Sequence, residues 1–102
     1  MKITIKATNL DLTPAITEYI NEKIGSLDKF VQRHERNGTD VLAVVEIART
    51  TKHHEKGPVF RAEVNLDATS KNIARAEHED WDIRVAVTEV KDKLKNILSR
   101  QK

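Results

Sequence analysis

Five of the last twelve residues are cations, Lys91, Lys93, Lys95, Arg100 and Lys102, and Asp92 alone opposes them. The segment carries +4 in a chain of net charge +2, so the preceding ninety residues sum to −2. Ammonium and guanidinium groups gathered at one end of a chain suit ion pairing with phosphate. Arg84 stands upstream of them, and a second set, Lys23, Lys29 and Arg33 with Arg36 beyond, lies in the first third. Glu18, Glu22 and Asp28 are interspersed with that second set and could neutralise it. For both sets the plain alternative is a solvated helix whose cations favour its C-terminal end.

Other chemistries lack their parts. His53 and His54 are adjacent, with His34 and His78 elsewhere; two neighbouring imidazoles reach one metal ion, but nothing supplies a third ligand, and no metal site is expected. The absence of cysteine removes disulfides, thiolate zinc sites and thiol nucleophiles, and fits a reducing, cytoplasmic setting. Ser26, Ser70 and Ser99 sit in no nucleophile elbow, and three glycines build no phosphate loop. Glu79, Asp80 and Asp82 cluster where a helix start favours acids anyway. Neither an enzyme nor a cofactor is expected. The opening MKITIKATNL alternates instead of forming a signal peptide, and no apolar run is long enough to span a bilayer. A net charge of +2 is too small to imply nucleic acid by itself.

The elements that must position these cations follow from periodicity. Ile3, Ile5 and Ala7 alternate with Lys2, Thr4 and Lys6, a strand with one buried face. Thr13-Pro14 starts a helix expected to run to about Arg33, with Ile16, Tyr19, Ile20, Ile24, Leu27, Phe30 and Val31 on one side and Gly25 a mild weakness within it. Asn37-Gly38 ends that segment. Residues 40–49 and 59–67 read as strands, the first with Val41, Ala43, Val45 and Ile47 inward, the second with Phe60, Ala62, Val64 and Leu66 inward. Residues 50–58 are a polar loop. Residues 72–79 make a weaker strand whose inward face is either Ala74, Ala76 and His78 or Ile73, Arg75 and Glu77. The closing helix, capped by Asp80 or Asp82, carries the stripe Ile83, Val87, Val90, Leu94, Ile97 and Leu98; the cations are expected on its other face.

The order is βαβββα in one α+β domain spanning residues 1–102. With 38% hydrophobic and 33% charged residues the core is thin, one layer of helix on one of sheet. A helical crossover makes the first two strands a right-handed parallel pair; short connections make the rest an antiparallel meander. Both helices are therefore expected on one face of a four-stranded mixed sheet. Modules of this shape that stack bases do so on aromatics of the open sheet face. Here Tyr19, Phe30 and Phe60 read as core, and the open face offers Lys2, Lys6, Glu46, Arg61, Glu63 and Arg75, a set of compensating charges. Any RNA contact falls to helices and loops.

Two stretches carry a resemblance. LTPAITEYINEKIGSLDKF contains Thr13-Pro14-Ala15-Ile16 and then Lys23, Leu27 and Phe30 at Lys-x-x-x-Leu-x-x-Phe spacing. DIRVAVTEVKDKLKNIL contains Asp82-Ile83, Ala86-Val87 and Asp92-Lys93-Leu94. Both resemble the ribosome hibernation-promoting factors, also called ribosome-associated inhibitors, in the same element order over nearly the whole chain. The resemblance implies a double-stranded-RNA-binding-domain-like fold. It implies a partner in the small ribosomal subunit and its ribosomal RNA, at the decoding region where messenger and transfer RNA sit, with no DNA or membrane partner. It implies inhibition of translation in idle ribosomes under stress, by a protein monomeric off the ribosome. The chain stops at Lys102 without a dimerising domain or an acidic tail, which matches the family's short form. Lys23 and Arg33 match basic sites of the first helix, and Lys93, Arg100 and Lys102 match basic sites of the second. Arg84 stands where the family usually has Tyr, Thr17 and Ser26 where many members have a base, and the turn His78-Glu79-Asp80-Trp81 looks longer than usual. A different class of function is a protein-interaction module without RNA, using an edge strand or the open sheet face around Leu42 and Val44.

Overall fold

The computed structural model describes residues 1–36, 38–50, 59–69 and 71–101. Asn37, Ser70, Lys102 and residues 51–58, which include His53 and His54, lie outside the described residues.

Four strands form one sheet in the order β1-β2-β3-β4: Lys2–Thr8, Val41–Arg49, Phe60–Ala68 and Lys71–Asp80. β1 pairs parallel to β2, with Ile3 opposite Ala43 and Ile5 opposite Val45; the other two pairings are antiparallel. Alternation sets the buried face. Val41, Ala43, Val45 and Ile47 of β2 and Ala62, Val64 and Leu66 of β3 are buried, as their period-two pattern predicts. Ala7 shares that face but is exposed, because β1 is an edge strand and Ala7 lies near its end.

β4 departs from the expectation in a way that resolves it. The register slips between Leu66, opposite Ala74, and Asp67, opposite Asn72, so Ile73 is the extra residue of a bulge. Ala74 and Ala76 are buried, and Ile73 also packs against the core. Ala74 and Ala76 of the first candidate face thus point inward, joined at the bulge by Ile73 of the other. Glu77 to Asp80 continue the strand, so His78-Glu79-Asp80 is not a turn; the turn is shorter and lies at Trp81-Asp82.

The first helix is also shorter than its stripe suggests. α1 spans Pro14–Gly25, with the Ile16 N–H bonded to Thr13 Oγ1 at 3.2 Å. At Ser26 the chain tightens: Ser26 Oγ donates to the Lys23 carbonyl at 2.6 Å, and the Leu27 N–H bonds to the Ile24 carbonyl at 3.0 Å. The short α2, Asp28–Val31, and a 3₁₀ turn, Gln32–Glu35, follow. The reset keeps Leu27 and Val31 buried beside Ile20 and Ile24. α3 spans Ile83–Arg100, and Asp82 is its cap, accepting from the Arg84 N–H at 2.8 Å. No helix among the described residues is long and apolar enough to cross a membrane.

α1, α2 and α3 lie on the same face of the sheet, over one core that includes Ile20, Ile24, Val45, Leu66, Val90 and Leu94. The opposite face carries charge. Arg61 pairs with Glu77 and lies 3.6 Å from Glu63; Arg75 pairs with Glu63 and lies 3.0 Å from Glu77. The Arg61 guanidinium holds the Glu77 carboxyl below its ordinary value, and Glu63 raises Arg75. These pairs compensate Glu63 and Glu77, which sit directly opposite one another. Leu42 and Val44 are on this face as expected, half-buried and 36% exposed respectively.

The outer edge of β4 is covered by α3. Lys93 Nζ donates to the Glu77 carbonyl at 2.8 Å and reaches His78 Nδ1 at 3.3 Å; Gln101 Nε2 donates to the Ile73 carbonyl at 2.7 Å. Edge carbonyls that could pair with another chain are thereby occupied. At the other end of the sheet Glu35 Oε2 accepts from the Val41 N–H at 3.0 Å and lies 2.9 Å from the Met1 ammonium.

Two stability predictions follow from these anchors. Lys93→Ala is expected to destabilise the fold by about 1 kcal/mol through the lost bond to an edge carbonyl, read from chemical denaturation. The Val41 N–H first, then the ammonium, lowers the Glu35 carboxyl; Glu35 in turn raises the ammonium. A lowered acid stabilises above its unperturbed value and loses that stabilisation as pH falls through the folded one; a raised amine stabilises below its unperturbed value and loses it as pH rises through the folded one. The stability difference between the parent chain and Glu35→Gln is therefore expected to be greatest between the unperturbed values, 4.5 and 8.0, and to shrink on either side. Thermal unfolding across a pH series measures it.

Candidate nucleic-acid interface

The helices meet along a seam built on two aromatic rings. Tyr19 of α1 and Thr88 of α3 share a hydrogen bond of 2.7 Å between their hydroxyls. Lys23 Nζ lies 5.4 Å from the centre of the Tyr19 ring, and the Arg84 guanidinium 5.7 Å. Farther along, Lys29 Nζ lies 5.3 Å from the centre of the Phe30 ring and Lys95 Nζ 5.9 Å. Each ring thus takes one cation from its own segment and one from α3. Such contacts contribute about 0.5–1 kcal/mol each at exposed sites and limit the wandering of long side chains.

Arg84, Thr88, Lys91 and Lys95 recur at spacings of four, three and four, so they share one side of α3, the side that meets α1. Lys23, Lys29, Arg84, Lys91 and Lys95 therefore line one seam. Among the described residues the only carboxylate paired with any of the five is Asp92, 2.8 Å from Lys91. Asp28 lies 3.2 Å from the Met1 ammonium, and neither Glu18 nor Glu22 forms an ion pair with the seam. The alternative in which Glu18, Glu22 and Asp28 neutralise the second set is thus supported by no close ion pair to Lys23 or Lys29 among the described residues.

The other predicted cations are placed elsewhere. Lys93 and Arg100 lie on the opposite flank of α3 and line a groove of about 450 Å³ with Arg75, Glu77, Asn96 and Ile97. Arg33 lies at a third position, in a groove of about 330 Å³ with His34, Lys71, Asn72, Ile73 and Gln101. Lys102 lies outside the described residues. The cations of α3 are thus not spread over the face opposite its buried stripe. They occupy its two flanks, and the outermost line, Val85, Glu89, Asp92, Asn96 and Ser99, is exposed and holds no cation. The physical reason is the width of the stripe: Ala86 is buried with Val87, Val90, Leu94 and Leu98, which pushes positions 91 and 93 to either side.

Tyr19 and Phe30 were expected wholly in the core. Both are half-buried and pack against it, and each turns a ring toward the cations. The spacing of Tyr19 and Lys23, four apart on one helix, was the available signal. Arg84, at the position usually Tyr in the resembling family, here joins the Tyr19 ring instead. No three histidine or carboxylate side chains among the described residues gather as metal ligands. The arrangement offers a row of fixed positive charge with aromatic flanks, suited to a phosphate backbone.

Comparison with known proteins agrees with the resemblance noted in the sequence. Residues 3–102 match the family described as sigma 54 modulation protein / S30EA ribosomal protein. A ribosome hibernation promotion factor of Lactococcus lactis subsp. cremoris (strain MG1363) is 30% identical over 103 residues, taking in 100% of this chain and 50% of that protein. The chain thus spans about half the length of the curated relative it matches. The N-terminal domain of Thermus thermophilus Protein Y superposes with a TM-score of 0.72 at 27% identity, covering 98% of each chain. A ribosomal subunit interface protein from Coxiella burnetii shares the fold, with a TM-score of 0.71 at 17% identity over 98% of this chain and 96% of that one. With its fold and all but its first two residues matched, the chain belongs to the sigma 54 modulation protein / S30EA ribosomal protein family, that of the ribosome hibernation-promoting factors.

Proposed function

We propose that this chain is a ribosome-associated hibernation factor that binds ribosomal RNA of the small subunit in the decoding region and silences translation by occupying the path of messenger and transfer RNA. It acts in the cytoplasm as a binding regulator and not an enzyme, and it is monomeric off the ribosome. The observation that carries this reading is the seam: five cations from three helical segments, α1, α2 and α3, in one row, one of them paired with a carboxylate among the described residues. Family membership supports the ribosome as the partner, and so do relatives named for ribosome hibernation and the subunit interface.

The seam acts through position and charge. Lys23, Lys29, Lys91 and Lys95 offer point charges to phosphate oxygens, and Arg84 offers a planar fork. The rings of Tyr19 and Phe30 hold four of these groups in place, which lowers the entropy lost on binding. Lys93 and Arg100 contact RNA only where it wraps toward β4, and Arg33 extends the footprint toward the end of α3; Lys102 is proposed as a further RNA contact from the sequence alone. Among the described residues the sheet's open face shows the Arg61, Arg75, Glu63 and Glu77 cluster and no aromatic ring, so it contributes no stacking platform. The competing reading, a protein-interaction module centred on Leu42 and Val44, has a small apolar area beside that cluster to work with.

Co-sedimentation with purified small subunits tests the reading. Counterion release predicts that affinity falls roughly 10³-fold between 50 and 200 mM salt for about six phosphate contacts. Changing Lys23, Lys29, Arg84 and Lys95 together to Glu is expected to abolish sedimentation while the chain stays folded by circular dichroism, with a thermal midpoint lowered by the four lost ring contacts, and changing Lys93 and Arg100 to Glu to weaken sedimentation less. Unchanged sedimentation of the fourfold variant would contradict the seam as the interface and favour the open face. Tyr19→Leu leaves every charge in place, yet is expected to weaken binding about tenfold because two cations lose their platform.

A further inference from the structure

Trp81, the chain's single tryptophan, is 60% exposed, and Val85, one helical turn on, is 41% exposed. Among the described residues the only other large apolar side chain so exposed is Val44, on the far face of the sheet. Trp81 is held on both sides. The Asp82 N–H bonds to Asp80 Oδ1 at 2.9 Å, and the Arg84 N–H bonds to Asp82 Oδ1 at 2.8 Å, which fixes the corner between β4 and α3. Ordering this tryptophan against a partner therefore costs little backbone entropy.

The chain segment that carries it has the opposite sign from the seam. Residues 79–89 hold Glu79, Asp80, Asp82 and Glu89 against Arg84, whose guanidinium is turned onto Tyr19. Glu89 follows Val85 by one turn on the exposed line of α3. An apolar anchor among carboxylates repels phosphate and suits a cationic protein surface, and tryptophan is the side chain most often dominant in such contacts. We propose that Trp81 and Val85 anchor a second contact, made to a lysine- and arginine-rich protein segment that carries an apolar side chain. Resting on the function proposed above, that segment belongs to a basic protein of the ribosomal particle. One end of α3 then faces protein, while its seam flank faces RNA. The partner's guanidinium groups can stack on the indole as well as pair with the acids.

Placing the photo-crosslinking residue benzoylphenylalanine at position 85 of the full chain tests this on purified small subunits. Complexes that sediment at low salt are expected to yield a crosslink to protein, at a peptide rich in lysine and arginine. A crosslink to ribosomal RNA, or none from complexes that do sediment, overturns the inference. Failure to sediment at all sinks the ribosomal reading, and this inference with it. Two substitutions give an independent sign. Trp81→Ala is expected to weaken binding at least about tenfold with an unchanged salt slope. Glu89→Lys adds a cation and is still expected to weaken binding; if it strengthens binding, the corner faces RNA and the inference is wrong.

Discussion

Two helical segments with one apolar stripe each must share a single face of a four-stranded sheet, and that constraint decides where the cations of the helices lie. The sheet is about four strands wide, so α1 and α3 must run side by side. Their outward flanks then meet along a line, and long basic side chains at that line have neither core nor open water to themselves. They settle over Tyr19 and Phe30. The Tyr19–Thr88 hydrogen bond fixes the spacing between the rods at the surface, above the Ile20, Ile24, Val87 and Val90 packing beneath. A positive row is thus a consequence of the core, and it needs no loop to build it.

The rest of the surface supports that division of labour. On the open sheet face, Arg61 and Arg75 are committed to Glu63 and Glu77. On the far flank of α3, Lys93 is committed to a carbonyl of β4. Along the crest of α3, Glu89 and Asp92 interrupt any continuity between the two flanks. On these sides Arg61, Arg75 and Lys93 are thus held by partners, and the crest carries negative charge. The seam is where positive charge stands beside aromatic rings and stays largely without carboxylates among the described residues.

Much of this fold was legible in the residues. β1, β2 and β3 were readable because strict alternation has one structural meaning when a single face is buried. β4 was not, because a bulge at Ile73 moves the chain by one residue, and a period-two reading cannot accommodate an insertion in the middle of the strand. The first helix looked continuous because Leu27, Phe30 and Val31 extend its stripe. The break at Ser26 depends on a 3₁₀ hydrogen bond and a serine bond to Lys23 that spacing alone does not announce. At the site, the identities of Lys23, Lys29, Arg84, Lys91 and Lys95 were readable, but their grouping was not. Whether a lysine on α3 goes to one flank or the other depends on the breadth of the buried stripe, which Ala86 widens. Tyr19 and Phe30 were hidden by their own periodicity, since an aromatic at a core position gives no sign that its edge stays in reach of solvent.

The account stands on a row of cations held by two rings between two parallel-lying helices. A structure of the chain bound to the small ribosomal subunit tests it most directly. Phosphate oxygens should lie within hydrogen-bond distance of Lys23, Lys95 and Arg84 at once, with Tyr19 and Phe30 beneath the cations that make those contacts. If the seam faces solvent in that complex and the open sheet face meets the ribosome, the account is wrong.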